Sequence, residues 1–103
     1  MARVEPAQPF RDDARRQLAL LIEGGEWTRV DRLAEDLATL RDRLTRFPEL
    51  GRELIGDDRH TLRRIALGRV PYFAWYRFDR RTDVVRLVRL FHARQRVPKP
   101  RRS

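Results

Sequence analysis

Residues 72–92, YFAWYRFDRRTDVVRLVRLFH, decide the fold of this chain of 103 residues. Aromatic and β-branched residues lie on both sides of a polar turn at 79–83, which is the pattern of two antiparallel strands joined by a hairpin. A further apolar run, 61–67, precedes them. We therefore predict strands at 61–67, 70–78 and 84–91, connected as an antiparallel meander.

Both faces of the two later strands carry large apolar side chains. Strict alternation divides the middle strand into one face with Tyr72, Ala74, Tyr76 and Phe78 and another with Phe73, Trp75 and Arg77. In the last strand the same rule groups Val85, Leu87, Arg89 and Phe91. We expect one face of the sheet to pack under helices and the other to be partly covered by a further segment or by a partner.

Two amphipathic helices are predicted upstream of the strands. Apolar residues recur at helical spacing from Arg11 as far as Gly24-Gly25, which stops the first helix. A longer helical pattern covers Trp27 to Phe47, and Pro48 ends it because proline disfavours helix at the residue before it. The predicted fold is therefore α+β, with a two-helix hairpin packed on a small, mainly antiparallel sheet.

The segments that flank the helices carry weaker signals. Residues 2–5 alternate and predict a weak N-terminal strand, which the prolines at positions 6 and 9 end. Residues 49–60 are polar, with glycine and aspartate at turn positions, and predict a surface connection. The sheet is thus expected to consist of this weak strand and the three-stranded C-terminal meander.

The composition predicts a single small domain. A chain of this length has room for one core, which we assign to residues 1–97, and the basic, proline-rich residues 98–103 predict a disordered tail. The absence of cysteine excludes disulfides, and His60 and His92 lack the spacing of a metal site, so we expect neither a metal nor a cofactor. No apolar run approaches the ~20 residues of a membrane span, and we expect a cytoplasmic protein without a membrane partner.

The charge balance is strongly basic. The formal net charge is +9, and all but one of the 24 basic residues are arginine. Such a field attracts nucleic acid or acidic protein segments without choosing between them. A basic nucleic-acid-binding module is therefore one function that the composition allows.

Three arginines in the predicted strands are candidates for an anion site. We expect Arg63 and Arg77 to face each other across one strand pair, and Arg89 to meet Arg77 across the hairpin. The alternative for Arg77 and Arg89 is that they stack on Trp75 and Phe91 or pair with carboxylates from the helices.

Two further side chains are candidate proton carriers for phosphate chemistry. These are His92 and Tyr76, and for both the alternative is a structural role with a satisfied hydrogen bond. Arg80 and Arg81, in the turn between the last two strands, are expected to be solvated.

Three segments resemble the RelE/ParE superfamily of toxins from type II toxin-antitoxin modules, and its ParE branch in particular. RFPELGRE, 46–53, is similar to the F-P-x-x-G-R segment that closes the second helix in that family. RRIALGRVPYFAWYRFD, 63–79, and VVRLVRLFHARQ, 84–95, resemble its following strands. The resemblance covers about residues 12–96, and the chain departs from the family in its weak first strand and in having arginine at positions 64 and 96, where acidic residues are common.

The resemblance implies a toxin that a cognate antitoxin holds inactive in a hetero-oligomer, through an acidic C-terminal segment of the antitoxin. It also implies a target: ParE-like members poison DNA gyrase, whereas RelE-like members cut messenger RNA on the ribosome. The sequence favours a non-enzymatic gyrase inhibitor, because lysine is absent before the tail and nothing acidic or phenolic follows His92. The endonuclease remains the alternative.

Each of these functions selects its own residues. The expected partner-binding residues are Arg63, Trp75, Arg77, Arg89 and Phe91. No catalytic residue is assigned for the gyrase inhibitor, and an endonuclease would use Arg63, Arg77, Arg89 and His92.

Overall fold

A computed structural model of the chain describes residues 1–68 and 71–101. Its elements are β1 (Arg3–Pro6), α1 (Gln8–Glu23), α2 (Trp27–Arg46), β2 (Arg52–Gly56), β3 (His60–Ala66), β4 (Tyr72–Asp79) and β5 (Val84–His92). Within these residues the strands form one mixed sheet in the order β1-β5-β4-β3-β2, and the two helices pack on one of its faces. The predicted α+β fold class is confirmed. Position 70, the predicted start of the middle strand, and positions 102 and 103 of the tail lie outside the described residues.

The N-terminal strand is real and lies at the edge of the sheet. β1 pairs in parallel with β5, with Arg3 opposite Val84, so the sheet is antiparallel except for this pair. Pro6 is compatible with the strand because an edge position does not need its missing N–H. The first helix begins at Gln8, three residues before the predicted start, since Pro9 lies in the first turn, where proline is favoured rather than disruptive.

The helical hairpin follows the predicted pattern. α1 ends at Gly24-Gly25, and Gly25 has φ +68, a left-handed conformation that glycine adopts without strain. α2 buries one stripe completely, with Leu33, Leu40 and Leu44 at 0–1% exposure against the sheet.

The segment 49–60, predicted as a surface connection, contains the strand β2, and that prediction is wrong. β2 pairs antiparallel with β3 and forms the second edge of the sheet. Glu53 lies opposite Arg63 and Ile55 opposite Leu62, so Leu54 is an extra residue that forms a bulge. The bulge breaks the alternation of this five-residue edge strand, which removes the signal by which a strand is recognised.

A second bulge reverses the faces of β5. Trp75 lies opposite Arg89, but the next residue of β4 lies opposite Leu87, which leaves Val88 unpaired. Leu87 therefore packs on the helix side, while Arg89 and Phe91 share the opposite side with Trp75. The prediction that grouped Leu87 with Arg89 and Phe91 is wrong, because one inserted residue moves every later side chain to the other face.

Candidate functional site

The sheet face that points away from the helices carries its own apolar cluster, and we call this surface the open face. Its buried members are Leu62, Phe73, Trp75 and Phe91. The Phe91 ring lies 5.3 Å from the Phe73 ring and 5.1 Å from Trp75, which it meets edge to face. These contacts confirm the expectation that both faces of the sheet are apolar.

Arginines surround this cluster because of the strand register. One row across β2, β3, β4 and β5 consists of Arg52, Arg64, Trp75 and Arg89, and the next row consists of Leu62, Arg77 and Arg86. The Arg64 guanidinium lies 3.9 Å from the centre of the Phe73 ring, and that of Arg89 lies 5.0 Å from Phe91. The open face is therefore an apolar patch with a cationic frame.

Arg77 and Arg89 line a shared cavity of about 560 Å³ on the open face, beside Trp75. They do not lie directly opposite each other, since Arg77 pairs with Arg86 across the hairpin. The expectation that Arg89 meets Arg77 across the hairpin is therefore wrong, although both side chains line the same cavity.

The C-terminal residues of the described chain lie over this cavity. Val97 packs against the apolar cluster, Lys99 and Arg101 line the cavity, and the Arg77 guanidinium donates a hydrogen bond of 3.0 Å to the Arg101 carbonyl. Residues 97–101 have no helix or strand. A basic segment thus covers a basic surface, and its charges repel those beneath it. Whether 98–103 behave as a disordered tail stays a prediction.

Arg89 is fixed by Asp13, a residue of α1 that sequence reasoning missed. The Asp13 side chain is 3% exposed. Its carboxylate accepts hydrogen bonds from Arg89 Nε (2.6 Å), from Arg16 Nη2 (2.6 Å) and from the backbone N–H of Leu90 (3.0 Å). β1 covers β5 only as far as Leu87, so the carboxylate satisfies an edge N–H that no strand reaches. The signal available in the sequence was that Asp13 lies on the apolar side of the α1 pattern, where a carboxylate needs a buried partner.

Arg63 lies on the opposite side of the sheet from Arg77. It is paired with Tyr76, on the helix side, and its side chain is 9% exposed. Its guanidinium donates to Thr61 Oγ1 (2.9 Å), to the Glu49 carbonyl (3.0 Å) and to the Gly51 carbonyl (2.8 Å). The expectation that Arg63 faces Arg77 is wrong, because their strand pair places Leu62, not Arg63, opposite Arg77.

The segment after α2 is held by the same network. The Gly51 N–H donates to the buried Tyr76 hydroxyl at 2.8 Å, and burial raises the pKa of that hydroxyl above its ordinary value. The Glu49 carboxylate accepts from Arg80 at 3.0 Å, which lowers the pKa of Glu49. Arg80 and Arg81 are both exposed as predicted, and Arg80 is in addition part of this network.

His92 lies in a third place, at the end of β5 on the helix side. Its Nδ1 accepts the Arg94 N–H at 3.1 Å, and its ring meets Tyr72 edge to face at 5.2 Å. It lines a cavity of about 340 Å³ under the helical hairpin, together with Arg29 and Arg32. The four residues of an endonuclease are thus divided among three locations.

Within residues 1–68 and 71–101, no group of three metal-ligating side chains could hold an ion. No helix of that part of the chain is long and apolar enough to cross a membrane.

The comparisons with known proteins agree on the fold. A family model described as "ParE toxin of type II toxin-antitoxin system, parDE" matches residues 4–97. One chain of the crystal structure of the archaeal RelE-RelB complex from Pyrococcus horikoshii OT3 superposes with a TM-score of 0.56 at 19% identity, covering 92% of this chain and 98% of that one. At that identity the likeness concerns the fold alone. A search of curated proteins finds no match.

Proposed function

From the premise that this chain belongs to the ParE toxin family of type II toxin-antitoxin systems, we propose that it inhibits DNA gyrase by binding, and that an acidic antitoxin segment neutralises it on the open face. The observation that carries inhibition by binding rather than by cleavage is the separation of the candidate nuclease residues. Arg63, the pair Arg77 and Arg89, and His92 occupy three different surroundings.

Cleavage of RNA needs a convergent site. A base, a charged group on the scissile phosphate and an acid must meet around one bond, within hydrogen-bond reach of the reacting atoms. Arg63 already donates to two backbone carbonyls, and Arg89 is held by Asp13. His92 lies on the other side of the sheet from Arg77. This arrangement supports a toxin that acts by contact.

The open face supports antitoxin docking. Trp75 and Phe91 are already only 8% and 1% exposed, so a partner segment that takes the place of Val97 keeps this apolar surface out of water. Carboxylates on that segment pair with the surrounding arginines. Arg77 is placed for such a pair, because it lines the cavity beside Trp75 and its guanidinium donates to the Arg101 carbonyl of the segment that the antitoxin would replace. An acidic, amphipathic segment fits both the apolar centre and the cationic frame.

The C-terminal segment covers the open face in the isolated chain, and its positive charge favours its replacement by an acidic segment. Lys99 and Arg101 lie beside Arg77 and Arg89, so the C-terminal segment brings positive charge to a positive surface. An acidic segment reverses the sign of that interaction. The proposed antitoxin therefore takes the place of residues 97–101.

The target is tested with purified DNA gyrase and relaxed plasmid. The chain should inhibit supercoiling at the concentrations that stop growth when its expression is induced. Unchanged supercoiling, together with cleavage of messenger RNA at fixed codon positions in a translating extract, would establish the endonuclease instead.

The docking surface is tested with the purified cognate antitoxin. Arg77→Glu on the open face should weaken binding at least about tenfold, because one favourable charge contact becomes a repulsion. Arg15→Glu, an exposed site on α1, makes the same change of charge and should leave affinity within about twofold at 150 mM salt, since distant exposed charges are screened. Equal losses in both variants would show that net charge alone, and not this surface, attracts the antitoxin.

A further inference from the structure

The loop after α2 presents a compact apolar surface to solvent, and we call residues 47–51 the anchor loop. Phe47 is 61% exposed and Leu50 is 47% exposed. With Arg46, Pro48 and Glu49 they line a shallow concavity of about 410 Å³. Large apolar side chains grouped on one exposed loop are typical of an interaction site, whereas single scattered ones are not.

Buried groups hold the backbone of the anchor loop in place. Arg63 donates to the Glu49 and Gly51 carbonyls, and the Tyr76 hydroxyl accepts the Gly51 N–H. Gly51 itself has no room for a side chain, since a Cβ there would lie 2.8 Å from the Arg64 carbonyl oxygen. The fold therefore uses a buried arginine and a buried tyrosine to hold apolar side chains in water. Such pre-organisation lowers the entropic cost of binding.

We propose, on the basis of the proposed function, that the anchor loop is the surface through which the toxin engages its target protein. The complementary site on the target is an apolar cleft with an acidic rim. The apolar part of this match is the group Phe47, Pro48 and Leu50, which inserts as an anchor.

The charge around the anchor loop indicates that the rim of the target cleft is acidic. Arg43 and Arg46 belong to the last turn of α2, and Arg52 follows the loop at the start of β2. The one carboxylate of the loop, Glu49, is engaged by Arg63 and Arg80 at 3.3 and 3.0 Å. Asp42 lies 3.7 Å from Arg46 and Glu53 lies 3.5 Å from Arg63, and with these carboxylates counted the surroundings of the apolar anchors are still net positive, so an acidic rim complements them.

The same charges exclude a second copy of the chain as the occupant. A symmetric dimer through this loop would bring two identical cationic surfaces together in a chain of net charge +9. A nucleic acid would match the charge but would leave Pro48 and Leu50 without an apolar partner, since phosphates contact only the cations. A protein cleft satisfies both parts of the surface.

The anchor loop is separate from the open face, because Arg63 and Tyr76 hold it on the helix side of the sheet. We expect an antitoxin on the open face to exclude a target much larger than this domain by its bulk, without touching the anchor loop.

The test compares two double variants of the full chain with matched exposure. Phe47→Ser with Leu50→Ser removes the anchors, and Trp27→Ser with Ile22→Ser removes residues that are 61% and 46% exposed at the helical hairpin. The anchor variant should need at least about tenfold more protein to stop growth and to inhibit purified gyrase, while its antitoxin affinity stays within about twofold of the wild type. The hairpin variant should keep its potency.

Each other outcome is decisive. Full potency of the anchor variant, an equal loss in the hairpin variant, or a parallel loss of affinity for a labelled 30-base-pair DNA duplex, a length about three helical turns, would overturn the anchor loop as a protein-contact site. If the wild-type chain stops growth but leaves gyrase active, the proposed target is wrong, and the growth comparison still decides the role of the loop. If the wild-type chain does not stop growth, both proposals fall.

Discussion

Replacement of Arg63 by methionine should destabilise the domain rather than remove a partner contact. Methionine keeps the aliphatic stem and deletes the guanidinium, which donates to Thr61 Oγ1 and to the carbonyls of Glu49 and Gly51 at 2.8–3.0 Å. The Arg63 side chain is 9% exposed, so water cannot fully replace these bonds.

The magnitude follows from these contacts. Three hydrogen bonds to buried or half-buried acceptors contribute roughly 1–1.5 kcal/mol each, the upper part of the range for neutral bonds, because desolvation of the guanidinium offsets the extra strength of a charged donor. The ion pairs with Glu49 and Glu53 add about 0–1 kcal/mol, because both carboxylates are about half exposed. We expect the free energy of unfolding to fall by about 4 kcal/mol, a large part of the 5–15 kcal/mol of a typical domain.

The assay is equilibrium unfolding in urea, followed by tryptophan fluorescence and circular dichroism. With a slope of about 1.5 kcal/mol per molar, the midpoint should fall by about 2–3 M. Arg63→Lys keeps the charge but has a single nitrogen, so it cannot make the Nε bond to Thr61 and the Nη1 bonds to the two carbonyls together, and it should lie between the wild type and the methionine variant. A methionine variant that is as stable as the wild type but binds antitoxin at least about tenfold more weakly would refute the bracing role and establish Arg63 as a partner contact.

Three further substitutions test the rest of the structure. Asp13→Ala should cost about 3 kcal/mol in urea unfolding, because it leaves the buried Leu90 N–H without an acceptor; a loss below about 1 kcal/mol would contradict this. Gly51→Ala should cost at least about 2 kcal/mol, because the new Cβ lies 2.8 Å from the Tyr76 ring, and a thermal scan that matches the wild type would show that the loop relaxes. The pKa of Asp79 is held well below its ordinary 3.8 by hydrogen bonds from Arg59, so its stabilisation is present above pH 3.8 and is lost as the pH falls through the folded-state pKa. Asp79→Asn should therefore flatten the decline of stability between about pH 4 and pH 2, and an unchanged slope would exclude this carboxylate as its cause.

The elements with an unbroken period were predictable. The α2 stripe from Trp27 to Arg46 and the strand Tyr72–Asp79 depend on residues a few positions apart, so their pattern is visible in the chain itself. β2 was not predictable, because its bulge at Leu54 breaks a five-residue pattern that has no other signal. The predicted start of α1 was three residues too late, because Pro9 indicates the end of a strand, whereas proline is also favoured in the first turn of a helix.

The candidate site was predictable in part. Trp75 and Phe91 were expected together on an apolar second face with Arg77 and Arg89, and they lie there. Asp13, the acceptor that fixes Arg89, comes from an element 76 residues away in the chain, and no local pattern connects the two.

The sequence by itself determined the helical hairpin, the C-terminal meander, a sheet apolar on both faces and a charge of +9. These follow from composition and from periods of 2 and 3.6 residues, which are local properties. Only the tertiary structure decided where each arginine points. The bulge at Val88 places the side chains on either side of it on opposite faces of the sheet. The register of β3 places Arg63 on the other face from Arg77, where it binds the backbone of the anchor loop. Register and bulges are set by pairing between distant strands and by the packing of their buried faces. For this reason Arg77 and Arg63, which look alike in the sequence, have different roles: Arg77 lies on the surface, and Arg63 is buried and holds the backbone of a loop.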